Sequence, residues 1–159
     1  MGILTDDMKR VVTEQRLGFV ATVSADGTPN LSPKGTTDVW DDDHLFFADL
    51  RSPQTIRNLR LNPAIEINVV DQVVRKGYRF KGTATVLDDG EDFERGLLLL
   101  KGNREIAPDR VRAIVIVQVL DARPLISPAY DWGSTENQVR AEWERYWDEL
   151  RLPKPSRTN

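Results

Sequence analysis

Two stretches of this chain place side chains at spacings that suit chemistry. The first is Phe47-Ala48-Asp49-Leu50-Arg51-Ser52-Pro53-Gln54-Thr55-Ile56-Arg57-Asn58-Leu59, where a hydroxyl-rich helix start follows a strand end. The first N–H groups of a helix have no partner within it, and the helix dipole favours an anion there. Ser52 and Thr55 add hydroxyl donors and Arg51 or Arg57 adds charge, so the segment has the makings of a phosphate cradle. Plain N-capping by Ser52, with Pro53 at the first helical position, accounts for the same residues without any ligand. The second stretch is Ser32-Pro33-Lys34-Gly35-Thr36. Proline and glycine free part of a strand's backbone from its ladder, and such a backbone can meet the polar edge of a flat heterocycle. A bulge or an edge strand explains it equally well.

Other chemistries lack their residues. There is no cysteine, which excludes disulfides, thiolate metal sites and a cysteine nucleophile. The one histidine, His44, follows three aspartates in a turn, where a lone histidine is ordinarily solvated. Asp41, Asp42 and Asp43 lack the ligand spacing of an EF-hand. No nucleophile elbow, P-loop or dinucleotide glycine fingerprint occurs. Of four tryptophans, Trp143 and Trp147 belong to a helical stripe, while Trp40 and Trp132 stand in loops.

The elements that must position these residues follow from periodicity. Residues 5–16 form a short amphipathic helix. Gly18 to Ser24 is β-branched and aromatic, a buried strand. Asp26-Gly27 suits a tight hairpin, so Pro29 to Thr37 is the returning strand. Residues 45–48 make a third strand, 53–61 a helix stopped at Asn62-Pro63, and 65–70 and 78–87 further strands. A helix over 91–100 and an apolar strand over 113–120 follow, then an irregular segment over 122–132. Thr135 and Gln138 have capping-box spacing, and Val139, Trp143, Tyr146, Trp147 and Leu150 stripe a last helix. The tail from Pro153 reads as disordered. The expectation is one domain over residues 1–152, mainly β, built as a six-stranded antiparallel barrel with helical additions.

Composition narrows the function classes. With 159 residues, 22 basic against 25 acidic and a net charge of −3, the chain shows no basic stripe, so nucleic acid is not the expected partner. No run approaches the roughly 20 apolar residues that span a bilayer, and the N-terminus has no signal-peptide pattern. A cytoplasmic protein without a membrane partner is expected.

The order of motifs carries more than any one of them. Phe19-Val20-Ala21-Thr22-Val23-Ser24-Ala25-Asp26-Gly27-Thr28-Pro29-Asn30 resembles the opening hairpin of the pyridoxamine 5′-phosphate oxidase-like family, the FMN-binding split β-barrel proteins. The likeness continues through Leu45-Phe46-Phe47-Ala48, then Thr55-Ile56-Arg57-Asn58-Leu59 with Asn62-Pro63, then Gly77-Tyr78-Arg79-Phe80-Lys81-Gly82, over about residues 8–120.

That resemblance implies a homodimer of split barrels with FMN at each of two interface sites. It places Ser32, Pro33, Lys34 and Gly35 beside the isoalloxazine ring, and Phe47, Ala48, Asp49, Ser52, Gln54, Thr55 and Asn58 towards the ribityl phosphate. Arg79 and Lys81 would lie towards the partner subunit's flavin. It raises the Ser52–Asn58 segment above simple capping. Pyridoxamine phosphate oxidases carry Arg where Ser32 stands and an Arg-Lys pair where Gln54-Thr55 stands, so vitamin B6 oxidation is not expected. Losing those cations removes charge-assisted contacts, about twice as strong as neutral ones, which Lys34, Arg51 and Arg57 would have to replace. The expected activity is a flavin-dependent oxidoreductase acting on a small molecule, with a nicotinamide as candidate donor. The alternatives are a non-catalytic flavin carrier, or the same barrel holding deazaflavin F420 or haem; a single histidine argues against haem. No side chain stands out as a catalytic acid or base.

Overall fold

The computed structural model describes residues 2–152, with the backbone alone at Asn103 and Arg104; the tail expected to be disordered lies outside the described residues. Helix α1 (Asp6–Gln15) starts where the Thr5 hydroxyl accepts the Met8 N–H and two aspartates occupy the positive first turn. It stops at Arg16, whose left-handed backbone (φ 53°) returns an N–H to the Val12 carbonyl.

Strands β1 (Gly18–Val23) and β2 (Pro29–Lys34) then form the expected hairpin. Gly27 takes φ 82° at its tip, and the Asp26 carboxylate accepts the Thr28 N–H and hydroxyl at 3.0 and 2.6 Å. After β2 come a two-residue strand β3 (Asp38–Val39), β4 (His44–Asp49), α2 (Pro53–Leu61), β5 (Ala64–Asp71) and β6 (Lys76–Leu87). Helix α3 (Glu91–Arg104), β7 (Ala113–Ile126) and α4 (Glu136–Arg151) complete the chain, with short 3-10 turns before β7 and at Pro128–Tyr130.

All seven strands join one antiparallel sheet in the order β2-β1-β5-β6-β7-β4-β3. Side chains from β1, β4, β5, β6 and β7 converge on a common core around Val20, Phe47, Ile67, Phe80 and Val117, capped by Val11, Val12 and Leu59 of the helices. A smaller cluster of Trp40, Phe46, Ala48, Leu100 and Ile114 lies under α3. Strands β1 and β6 alternate between core and outer face, whereas β4 is buried on both, Leu45 and Phe47 in the common core and Phe46 and Ala48 under α3.

Two expectations need correction. The strand count is seven, because the predicted strand over 29–37 ends at Lys34, turns at Gly35-Thr36, and resumes as β3. The last strand does not stop at residue 120. It runs to Ile126, and its second half pairs with Lys76–Lys81 of β6 beyond a bulge between Lys81 and Gly82. Gly82 is obligatory at that crossing, since a Cβ there would lie 2.0 Å from the Gln118 carbonyl oxygen.

The C-terminal helix packs through part of its stripe, with Trp147 half-buried near Val73. Its capping box forms as expected at Thr135 and Gln138. Val139 is buried, and the Trp143 ring lies 3.4 Å from the Arg75 guanidinium, but Tyr146 and Leu150 of the stripe are exposed. The Tyr130 hydroxyl donates to the Val74 carbonyl at 2.6 Å, so this whole segment grips the β5–β6 hairpin.

Candidate cofactor cleft

The turn after β2 and the end of β4 meet in a cleft of about 380 Å³. The contact between them is held by Thr36, whose hydroxyl accepts the Ala48 N–H at 2.9 Å and donates to the Ala48 carbonyl at 3.3 Å. Thr37 closes the turn by donating its hydroxyl to the Lys34 carbonyl at 2.9 Å. Of the residues singled out in the sequence, Pro33, Lys34, Gly35, Ala48 and Ser52 line the cleft. Arg16, Leu50 and Ile106 line it too, and were not expected. Arg16 arrives because α1 ends in a left-handed cap, and Ile106 because the chain after α3 folds back; nothing local to either residue signals a site.

Lys34 is the unusual group. It is only 5% exposed, and its ammonium donates to the Ser32 hydroxyl. Burial pushes the ammonium below the ordinary lysine range, while the Asp49 carboxylate pulls it back up. A buried cation stabilised by one hydroxyl and a carboxylate has donor capacity left for an anionic ligand.

Asp49 also organises the neighbouring helix start. Its carboxylate accepts the Ser52 N–H at 2.6 Å, and Ser52, although at the cap position, makes no side-chain capping bond to α2. The plain N-capping explanation of Ser52 therefore fails.

One turn further, Gln54 donates to the Asn58 carbonyl oxygen at 2.7 Å, and the Asn58 amide donates to Thr22 at 3.0 Å and Ser24 at 3.4 Å. Thr22 also accepts from Asn30 at 3.2 Å. Thr55 and Asn58 are buried at 2% and 1% exposure, so α2 buries a polar seam beside the apolar Ile56 and Leu59.

The remaining expected residues lie apart. Phe47 is a core side chain, its backbone alone being at the strand end. Arg79 and Lys81 are on the outer sheet face, where both pair with Glu66 at 2.9 and 3.7 Å. Arg57 lines a different cleft with Arg60 and Arg112, on the other side of the α2 start. Among the described residues the cations that line the Lys34 cleft are thus Lys34 and Arg16. His44 sits at the start of β4 with its Nδ1 2.8 Å from Asp41 and does not line the cleft. Among the described residues no group of three or more His, Asp or Glu side chains is placed to hold a metal. No helix among them is long and apolar enough to cross a membrane.

A curled antiparallel sheet with a polar cleft between its β2 turn and its β4–α2 junction defines a split-barrel protein. Residues 4–122 match the family described as pyridoxamine 5′-phosphate oxidase, and the chain belongs to it. It is similar to HupZ of Group A Streptococcus, at 34% identity over 79% of this chain and 96% of that one, with a TM-score of 0.71. An FMN-binding protein from Syntrophomonas wolfei shares the fold at 16% identity and TM-score 0.61, over 74% of this chain and 84% of that one. An uncharacterised protein of Methanocaldococcus jannaschii, MJ0282, is 30% identical over 90 residues, 55% of this chain. The match spans 59% of the length of that relative.

Proposed function

We propose that this protein is an FMN-dependent oxidoreductase acting on a small molecule, with the flavin held at a homodimer interface. The observation that carries the reading is the buried Lys34 ammonium in a cleft beside the turn backbone of Gly35 and Thr36. A neutral ligand would give little in return for burying that charge. A flavin fits the donor set, because its ring edge becomes anionic on reduction and its other end is a phosphate.

In this reading Lys34 and the turn backbone hold the ring edge, and Ala48 and Leu50 supply the wall against which the ring lies. Ser52, Gln54 and the α2 start serve the phosphate, whose charge the helix dipole favours. The cofactor supplies the hydride or electron transfer; the protein binds it, orients it and sets the charge around it. Lys34 keeps a positive charge beside the ring edge, which favours the reduced anion over the oxidised neutral form. Leu50 and Ile106 keep water from that side of the cleft. Substrate would approach from the face the cleft leaves open.

The homodimer rests on the outer sheet face. Phe19, Val23 and Leu31 are exposed there on neighbouring strands, Leu31 opposite Ala21 in the register. An apolar strip of this kind on two adjoining strands suits a partner subunit.

The test is the visible spectrum of the purified protein, with the released chromophore identified by mass. FMN near one per chain supports the proposal. F420 or haem in its place would transfer the cleft to that cofactor, and a protein that takes up none of the three would overturn it. Oxidation of a nicotinamide by the flavin-loaded protein then separates an oxidoreductase from a flavin carrier.

A further inference from the structure

A second cavity, of about 340 Å³, lies between α1, the β5–β6 hairpin and the chain that follows β7. Pro124, Ile126, Glu136 and Arg140 help to line it, and all four fall outside the stretch matched by the family, which ends at residue 122. The C-terminal segment therefore supplies one wall of the cavity, which shares no lining residue with the Lys34 cleft.

Its charges stand in two groups. On the α1 wall, the Asp7 carboxylate accepts from Arg10 at 2.6 and 3.0 Å and from the Tyr78 hydroxyl at 2.5 Å. On the α4 wall, Glu136 accepts from Lys76 at 3.0 Å and lies 3.7 Å from Arg140. Tyr78 and Arg10 hold the Asp7 carboxyl below its ordinary range, and Lys76 does the same for Glu136, so both are ionised at neutral pH. The third carboxylate, Asp71, is spent on the Val73 and Val74 N–H groups at 2.8 and 3.2 Å. Val11, Val74, Pro124 and Ile126 supply apolar surface between the two groups.

A cavity with cations and carboxylates on both walls favours neither a simple anion nor a simple cation. It suits a ligand that carries both charges and a small apolar body. We propose that this cavity binds a zwitterion of α-amino-acid size, its carboxylate taken by Arg140 and Lys76 and its ammonium by Asp7. Existing ion pairs do not bar this, because their side chains are about half exposed and such pairs are weak, so exchanging them for a ligand's charges costs little. The arrangement also gives the α4 segment a role that packing alone does not, since Tyr146 and Leu150 of its apolar stripe are left in solvent.

The experiment is a ligand-observed NMR screen of the full chain against individual L-α-amino acids. Each hit is compared with its amide and its N-acetyl derivative, which lack one charge. Binding of at least one amino acid is expected, weakened tenfold or more by loss of either charge. Arg140→Ala and Lys76→Met should each reduce that binding by a similar factor while chromophore content is unchanged. Should either variant release α4, seen as a change in Trp143 fluorescence, Asp7→Asn tests the opposite wall, which does not hold that helix. Failure of every amino acid to bind, or binding that survives Asp7→Asn, Arg140→Ala and Lys76→Met alike, overturns the proposal.

Discussion

Asn58 donates its side-chain amide to the Thr22 hydroxyl at 3.0 Å, joining α2 to β1 across 36 positions of sequence. The bond is fully buried, and Gln54 and Asn30 extend it at either end. A polar seam at a helix–sheet contact is costly unless every member is satisfied, and here each has a partner. Asn58→Leu should cost about 1–3 kcal/mol, because the buried Thr22 hydroxyl and the half-buried Ser24 hydroxyl each lose a donor. Urea denaturation reads it: a midpoint unchanged from wild type would show that the seam contributes nothing net.

Lys34 ties stability to the cleft's chemistry. Its burial lowers the ammonium's proton affinity relative to the unfolded chain. The unfolded state then binds more protons than the folded one between the lowered value and the ordinary lysine range, so stability rises as pH climbs through that window. Lys34→Met removes the buried charge. The apoprotein should be unchanged or more stable by ~1 kcal/mol at neutral pH, and its alkaline gain in stability should vanish. Flavin affinity should fall tenfold or more. Retained affinity in the variant would remove Lys34 from the site.

The phosphate end of the site calls for a different substitution. Thr55 is 2% exposed, so a carboxylate there would test folding rather than binding. Gln54 is exposed one position earlier on the same helix turn. Gln54→Glu places a negative charge beside the α2 start, where the dipole would have favoured the ligand's anion. The protein should fold normally, with FMN retention reduced at least tenfold in a dialysis assay. Equal retention would place the phosphate elsewhere.

Leu31 carries the dimer prediction. It is 67% exposed on β2, with Phe19 and Val23 on the adjoining strand. Leu31→Asp should leave monomer stability within about 0.5 kcal/mol, as for most exposed positions. Light scattering should nevertheless report a monomer where the wild type is a dimer, and flavin content should fall with it. A wild-type protein that is already monomeric would end the interface reading.

What was legible in the sequence was what short-range physics decides. The Asp26-Gly27 turn, the break at Asn62-Pro63 and the Thr135–Gln138 capping box each depend on a few adjacent residues, and each forms. The second half of β7 was not legible. Asp121, Arg123 and Pro124 have poor strand composition, and they are extended because β6 offers them a ladder from a distant part of the chain. The site divides in the same way. Pro33-Lys34-Gly35 announces a broken strand locally, whereas Arg16 and Ile106 reach the cleft through folding that no local pattern encodes. Ser52 looked like a helix cap and occupies the cap position, yet the bond that shapes the turn comes from Asp49.

Tyr78 gives the last prediction, on the pH dependence of the fold. Its hydroxyl donates to Asp7 at 2.5 Å and, with Arg10, lowers that carboxyl below its ordinary value. A carboxylate with a depressed folded pKa stabilises the protein at pH above its unfolded value, and that contribution is lost as pH falls through the folded value. Tyr78→Phe brings the two values closer, so the acid-unfolding midpoint should move to higher pH. Asp7 is exposed, so the loss at neutral pH should be no more than about 0.5 kcal/mol, at the low end for a hydrogen bond. Tyr78 itself is pushed up by Asp7, so its bond is present below the ordinary phenol range and is lost only as pH rises past the elevated value. The difference between wild type and variant is therefore fully present above the unfolded value of Asp7 and shrinks as pH falls through its folded value. Circular dichroism followed from pH 7 downward measures this directly; coincident acid limbs would show that the Tyr78–Asp7 bond does not persist in solution.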